Sequence, residues 1–231
     1  MDISSPDFWV AVLQIIAIDI VLSGDNAVVI ALACRNLPPA QRRKGILWGV
    51  GGAIGLRVVL TAFAAALLGY PYLKLIGGVL LLWIGIKLLL PEPPEGHDIE
   101  ASDKLWSAVK TIIVADFVMS LDNVIGVAAA AKGSVALLLF GLAVSIPLIV
   151  WTSQLFLKLM ERFPVIITLG AGLLGYVAGS MMVSDVAISA WVQAAIPAAP
   201  QLAGATGAVL VVAVGSWMGW RQAAREERTI L

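Results

Sequence analysis

Two short stretches of this chain carry the residue types that bind hard cations. The first reads Asp19-Ile-Val-Leu-Ser23-Gly24-Asp25-Asn26 and the second Asp116-Phe-Val-Met-Ser120-Leu121-Asp122-Asn123, both with the pattern D-x-x-x-S-x-D-N. Carboxylate, amide and hydroxyl oxygens suit Mg²⁺, Ca²⁺ or Mn²⁺. Neither stretch holds His or Cys, which disfavours Zn²⁺ and Cu⁺. Met119, beside Ser120, would favour a softer ion such as Mn²⁺, although a methionine also serves as plain core filler. Four carboxylates brought close together could not all stay ionised, so some would hold protons in the empty site. Metal binding would then release protons, which is a physical basis for metal/proton exchange.

Both stretches lie inside long apolar runs, where a charged side chain costs on the order of 2.5–3.5 kcal/mol on insertion scales. On a straight helix Asp19, Ser23 and Asn26 share a face, as do Asp116, Ser120 and Asn123. Asp25 and Asp122 point about 100° away from the adjoining Asn. Either the helix unwinds so that both acids of a copy meet one ion, or each acid has its own partner. Gly24 eases unwinding in the first copy, whereas Leu121 does not in the second. Broken helices occur at membrane depth where they line a polar cavity, so a break near Ser23-Gly24 is expected.

The elements that must position these residues are membrane helices. Of 231 residues 60% are hydrophobic and 13% charged, and the mean hydropathy is +0.96. Apolar runs at 8–34, 45–68, 71–90, 105–131, 134–160, 164–183 and 201–220 are each about long enough to cross a bilayer as helix. No alternating pattern suggests a β-barrel. The expected fold is an all-α polytopic membrane protein with seven transmembrane helices. The segment Met1–Asp7 lacks the basic region of a signal peptide, so the first helix should be retained. Zero net charge argues against nucleic acid as a partner, and the lone Cys34 excludes an internal disulfide.

Orientation follows from the basic residues. With the N-terminus outside, the Lys and Arg of 35–44, 104–110, 158–162 and 221–228 face the cytoplasm, and only Lys74 and Lys132 face out. Three helices precede the acidic loop 91–104, so the second motif helix enters from the opposite side. The chain then divides into a three-helix repeat at 1–90, an acidic cytoplasmic loop with His97 at 91–104, and an inverted repeat at 105–183. Residues 184–231 supply an outer interfacial segment, a peripheral seventh helix and a basic cytoplasmic tail. Inverted repeats of this 3+3 kind, with the site at the midplane, are the architecture of secondary transporters.

Other polar residues admit two readings each. Arg57, in mid-membrane, is a counter-charge that pairs with Asp19, Asp25 or Asp122 when the metal is absent, or a permanent structural ion pair. Gln14 and Thr111, each five residues ahead of a motif, extend the polar track or bond a neighbouring helix. Asp185 reads as a helix-end or outer-surface residue. The glycines at 45–55 and 170–179 read as helix contacts.

The paired motifs, in an apolar chain of this length, resemble the TerC family of integral membrane proteins, in its YjbE-like branch, over roughly residues 8–183. The resemblance implies a divalent-metal exporter, chiefly of Mn²⁺. It carries Asp19, Asp25, Asn26, Asp116, Asp122 and Asn123 over as metal-site residues, with Ser23 and Ser120 beside them. The resulting expectation is a multi-pass inner-membrane exporter, not an enzyme, with no permanently bound cofactor and with H⁺ or Na⁺ as coupling ion. A homo-oligomer is compatible with it. The rival readings are a non-transporting membrane sensor or assembly partner with a structural acid–Arg network, and an intramembrane aspartyl protease using Asp19 and Asp116.

Overall fold

The structure, a computed structural model, describes residues 6–63, 67, 69–91, 101–131 and 135–230. The described chain is helical, and each predicted apolar run falls on a helix. These are α1 (Pro6–Cys34), α2 (Pro39–Ala62), α3 (Leu73–Leu89), α4 (Ala101–Ala131), α5 (Val135–Arg162), α6 (Val165–Val183), the short α7 (Ser189–Ala195) and α8 (Ala199–Ile230). Prolines punctuate them. Pro39 occupies the first turn of α2, where its missing N–H leaves no bond unmade, and Pro91 follows Leu90, the residue that caps the end of α3. Among the described residues four helical stretches are long and apolar enough to cross a membrane: Pro39–Thr61, Ala143–Arg162, Val165–Val183 and Ala199–Gln222.

The break expected near Ser23-Gly24 does not occur, because α1 is helical throughout Pro6–Cys34. The energies explain why. A glycine inside a helix costs roughly 1 kcal/mol relative to alanine, whereas backbone groups orphaned in hydrocarbon cost several kcal/mol each. Likewise, α5 runs on through Pro147.

Two compact units form, and they do not follow chain order. One comprises Met1–Tyr70 with Leu105–Lys158, the other Pro71–Lys104 with Leu159–Leu231. Both motif helices belong to the first unit. There α2 approaches α4 closely because Gly49 and Gly52 lack side chains. A Cβ on Gly49 would lie 2.6 Å from Ile112 Cδ1 and 3.2 Å from its Cβ, and one on Gly52 would lie 2.5 Å from Ile113 Cδ1. Gly51 and Gly55 face open space, so only part of the 45–55 glycine cluster is a contact. Arg42 closes the turn between α1 and α2 by donating to the carbonyls of Leu37 (3.0 Å) and Arg35 (3.1 Å).

In the second unit α6 buries a face of small residues, including Gly175, Ala178 and Gly179. Gly175 meets the backbone of Gly207 and Gly179 that of Ala203, so α6 and α8 touch main chain to main chain. The seventh long helix is therefore a packed part of its unit and not the peripheral addition expected from sequence.

Of the two readings of Asp185, helix end holds and outer surface does not. It lies between α6 and α7, outside the membrane-spanning segments, and is 0% exposed. Its Oδ1 accepts from the N–H of Tyr72 (2.9 Å) and Ala187 (2.9 Å), and its Oδ2 from Lys74 (3.0 Å) and Leu75 (3.2 Å). It thus caps α3 from a distant part of the chain. Tyr72, at φ 67, has the left-handed backbone that makes this turn. Burial alone would raise the Asp185 carboxyl, but the four backbone N–H groups outweigh it and hold the acid below the usual carboxylate range. A lowered folded pKa stabilises fully above about pH 4 and is lost as pH falls through the folded value. Asp185→Asn, which cannot accept at both atoms, should cost about 1–2 kcal/mol at neutral pH, as other lost caps do. The gap between the wild-type and variant melting temperatures should close in acid; a gap independent of pH would refute the capping role.

Candidate metal-ion site

The site begins with the packing of α2 on α4. Gly49 and Gly52 let the helices approach, and Arg57 follows further along α2 at 3% exposure. Its Nη2 donates to Asp116 Oδ1 at 2.7 Å and its Nε to Ser120 Oγ at 3.2 Å. Ser120 Oγ in turn donates to Asp116 Oδ2 at 3.2 Å. Asp116 and Ser120 stand one turn apart on α4, so the shared face read from their spacing is what the structure shows. The triangle is buried, and Leu60, packed with Leu56, Leu67 and Phe117, stands one turn beyond Arg57. A charge pair withdrawn from water in this way needs every remaining hydrogen-bonding position matched, and Ser120 supplies part of that match.

In the first motif copy Asp25 is half-buried. Its Oδ1 accepts the backbone N–H of Asn26 at 2.9 Å. Asn26 is buried at 3% exposure, and among the described residues neither its Oδ1 nor its Nδ2 has a hydrogen-bond partner. A buried amide left in this state costs about 1–3 kcal/mol, which makes it an anomaly unless a ligand completes it.

The remaining sequence candidates fall as follows. The side chains of Asp19, Ser23, Asp122 and Asn123 lie outside the described residues, although their backbones are helical in α1 and α4. Met119 belongs to the buried apolar core. Gln14 is exposed on α1. Thr111 Oγ1 donates to the Ser107 carbonyl of its own helix at 2.8 Å, so it is satisfied locally. Among the described residues no three His, Cys, Asp or Glu side chains converge; the described acids of the motifs are Asp25 and Asp116. Arg57 is marked by its position in an apolar run, but the ion pair among the described residues is with Asp116 and not with the Asp19, Asp25 or Asp122 expected from sequence, because helix–helix register decides which acid lies level with it. Likewise, no spacing rule shows that Asn26 is orphaned.

Apolar helices, four of them long enough to cross a membrane among the described residues, define a polytopic membrane protein with buried polar side chains. The particular family is also shown. Residues 4–226 match the Integral membrane protein TerC family, and the chain belongs to it. It is 45% identical over 183 residues to the uncharacterized membrane protein YjbE of Bacillus subtilis, covering 79% of this chain and 84% of that one. It is 26% identical to the uncharacterized membrane protein YceF of the same organism, over 78% of this chain and 73% of the relative. The protein YegH of Escherichia coli is 27% identical over 72% of this chain, a match that covers only 35% of YegH. No solved structure matches. A multi-pass membrane location follows from the family and the apolar helices.

Proposed function

We propose that this protein is a secondary transporter that exports a divalent metal ion, with Mn²⁺ the first candidate cargo. The observation that carries the reading is Asn26. Among the described residues its buried amide has no partner, and it adjoins Asp25, a half-buried acid of the same motif. An oxygen-rich cation site completes such an amide, and hard-to-borderline divalent ions take this donor set. The seven-helix N-out/C-in topology and the 3+3 inverted repeat belong to the same proposal. They place the two copies on antiparallel helices at the midplane, with Asp19, Asp122 and Asn123 completing the ligands. Entry of H⁺ or Na⁺ would drive export.

The test is tracer Mn²⁺ flux in proteoliposomes with imposed pH and Na⁺ gradients. Gradient-driven Mn²⁺ movement is expected; its absence for every divalent ion tried would sink the reading. In cells, Asp25→Asn and Asp122→Asn should raise Mn²⁺ content and Mn²⁺ sensitivity, measured by elemental analysis and growth. A second reading, a non-transporting sensor, draws on the closed Arg57–Asp116–Ser120 triangle. It predicts metal binding without flux in the same liposomes.

A further inference from the structure

We infer that Arg57 is a tethered cation: it holds the Asp116–Ser120 end of the site while no metal is bound and yields it when metal enters. The metal-free transporter can then reorient with only the coupling H⁺ or Na⁺ aboard. This inference rests on the metal-transport reading above and assigns its return step.

The geometry gives the reason. The guanidinium occupies two oxygens that a metal would use, Asp116 Oδ1 at 2.7 Å and Ser120 Oγ at 3.2 Å. A divalent ion bound to Asp116 would stand in contact range of that positive charge, in surroundings that screen it poorly, so the two cannot share the carboxylate. Binding is therefore a competition. Arginine suits the part because its fork satisfies two acceptors at once and stays charged when desolvated. Its long stem lets the head swing while the backbone stays in place. That backbone is held: Gly49 and Gly52 seat α2 against Ile112 and Ile113, and Thr61 Oγ1 donates to the Arg57 carbonyl at 2.8 Å. The displaced element is thus the side chain and not the helix.

The consequence is a split between two transport modes. Exchange of metal for metal needs only the loaded form to reorient. Net efflux also needs the empty form to cross, and a carboxylate without a counter-charge makes that costly at membrane depth. Arg57 is a positioning and counter-charge residue for the second mode. A purely structural ion pair would instead serve both modes equally.

The experiment compares wild type, Arg57→Met and Arg57→Lys in proteoliposomes, by Mn²⁺/Mn²⁺ exchange and by net Mn²⁺ efflux into metal-free buffer. In Arg57→Met, exchange should persist with its half-saturating Mn²⁺ concentration lowered about fivefold or more, because the internal competitor is gone. Net efflux should fall by about tenfold or more, since the empty form loses its counter-charge. Arg57→Lys should recover part of the net efflux and give an intermediate half-saturation. Parallel loss of both modes with intact wild-type flux would overturn the inference and leave the transport reading standing. Absence of flux from wild type would overturn both. Should Arg57→Met elute as aggregate, Arg57→Lys decides alone: an unchanged half-saturation overturns the inference.

Discussion

Replacing Asn26 with leucine is expected to abolish metal flux while making the protein more stable. The two side chains share one branched skeleton, leucine being the bulkier, so the gain in stability is what remains after the cost of seating its methyl groups. In the structure the amide is 3% exposed and neither polar atom is partnered among the described residues. Removing an unsatisfied buried polar group returns its desolvation penalty, about 1–3 kcal/mol, which for a chain of this size is a rise of a few degrees in melting temperature. Flux should fall by about tenfold or more if the amide oxygen is a metal ligand whose bond must be made for transport. Added Mn²⁺ should raise the melting temperature of wild type and leave Asn26→Leu unmoved, because only a state that binds the ion is stabilised by it. Melting curves in detergent with and without Mn²⁺, next to liposome flux, measure all three quantities. A destabilised leucine variant that still transports would show that Asn26 has a structural partner instead. Asn26→Asp, which keeps an oxygen at the same place, should retain flux.

The second large effect concerns glycine, where one substitution type should act in opposite directions. Gly175→Ala and Gly179→Ala each place a methyl against main-chain atoms of α8, at Gly207 and Ala203. Backbone cannot yield as a side chain can, so α6 and α8 must separate. The cost should reach about 3 kcal/mol, at or above the top of the usual range for overpacking. Monodisperse protein should give way to aggregate on size-exclusion chromatography, or melt many degrees lower. Gly51→Ala and Gly55→Ala, which meet nothing within 4 Å, should be neutral or stabilise by up to about 1 kcal/mol, since alanine is the better helix former. If all four substitutions behave alike, the main-chain contact of α6 with α8 is not what holds the second unit together.

These expectations show where sequence was legible. Apolar length alone located the helices, because a membrane leaves the backbone little choice but to bond within each segment. The doubled D-x-x-x-S-x-D-N could be seen because polar residues at fixed spacing stand out from leucine and valine, and the i, i+4 relation of Asp116 and Ser120 carried directly into their hydrogen bond. The break at Gly24 was misjudged because glycine's weak helix propensity was set above the larger cost of unpaired backbone. For Asp185 the helix-end reading holds, but the helix it caps was not legible. Its partners Tyr72, Lys74 and Leu75 lie far away in the chain, and an acid in a connection looks the same whether it faces water or caps a helix.

The sequence by itself determined that the chain is a set of membrane helices carrying two copies of D-x-x-x-S-x-D-N, since hydropathy and residue spacing are local properties. Only the tertiary structure decided which glycines are contacts, that α8 packs on α6, and that Arg57 bridges Asp116 and Ser120 while Asn26 goes without a partner among the described residues. Each of these depends on what a neighbouring helix presents at one height. Helix–helix register is set by packing between segments distant in sequence, and no local pattern encodes it.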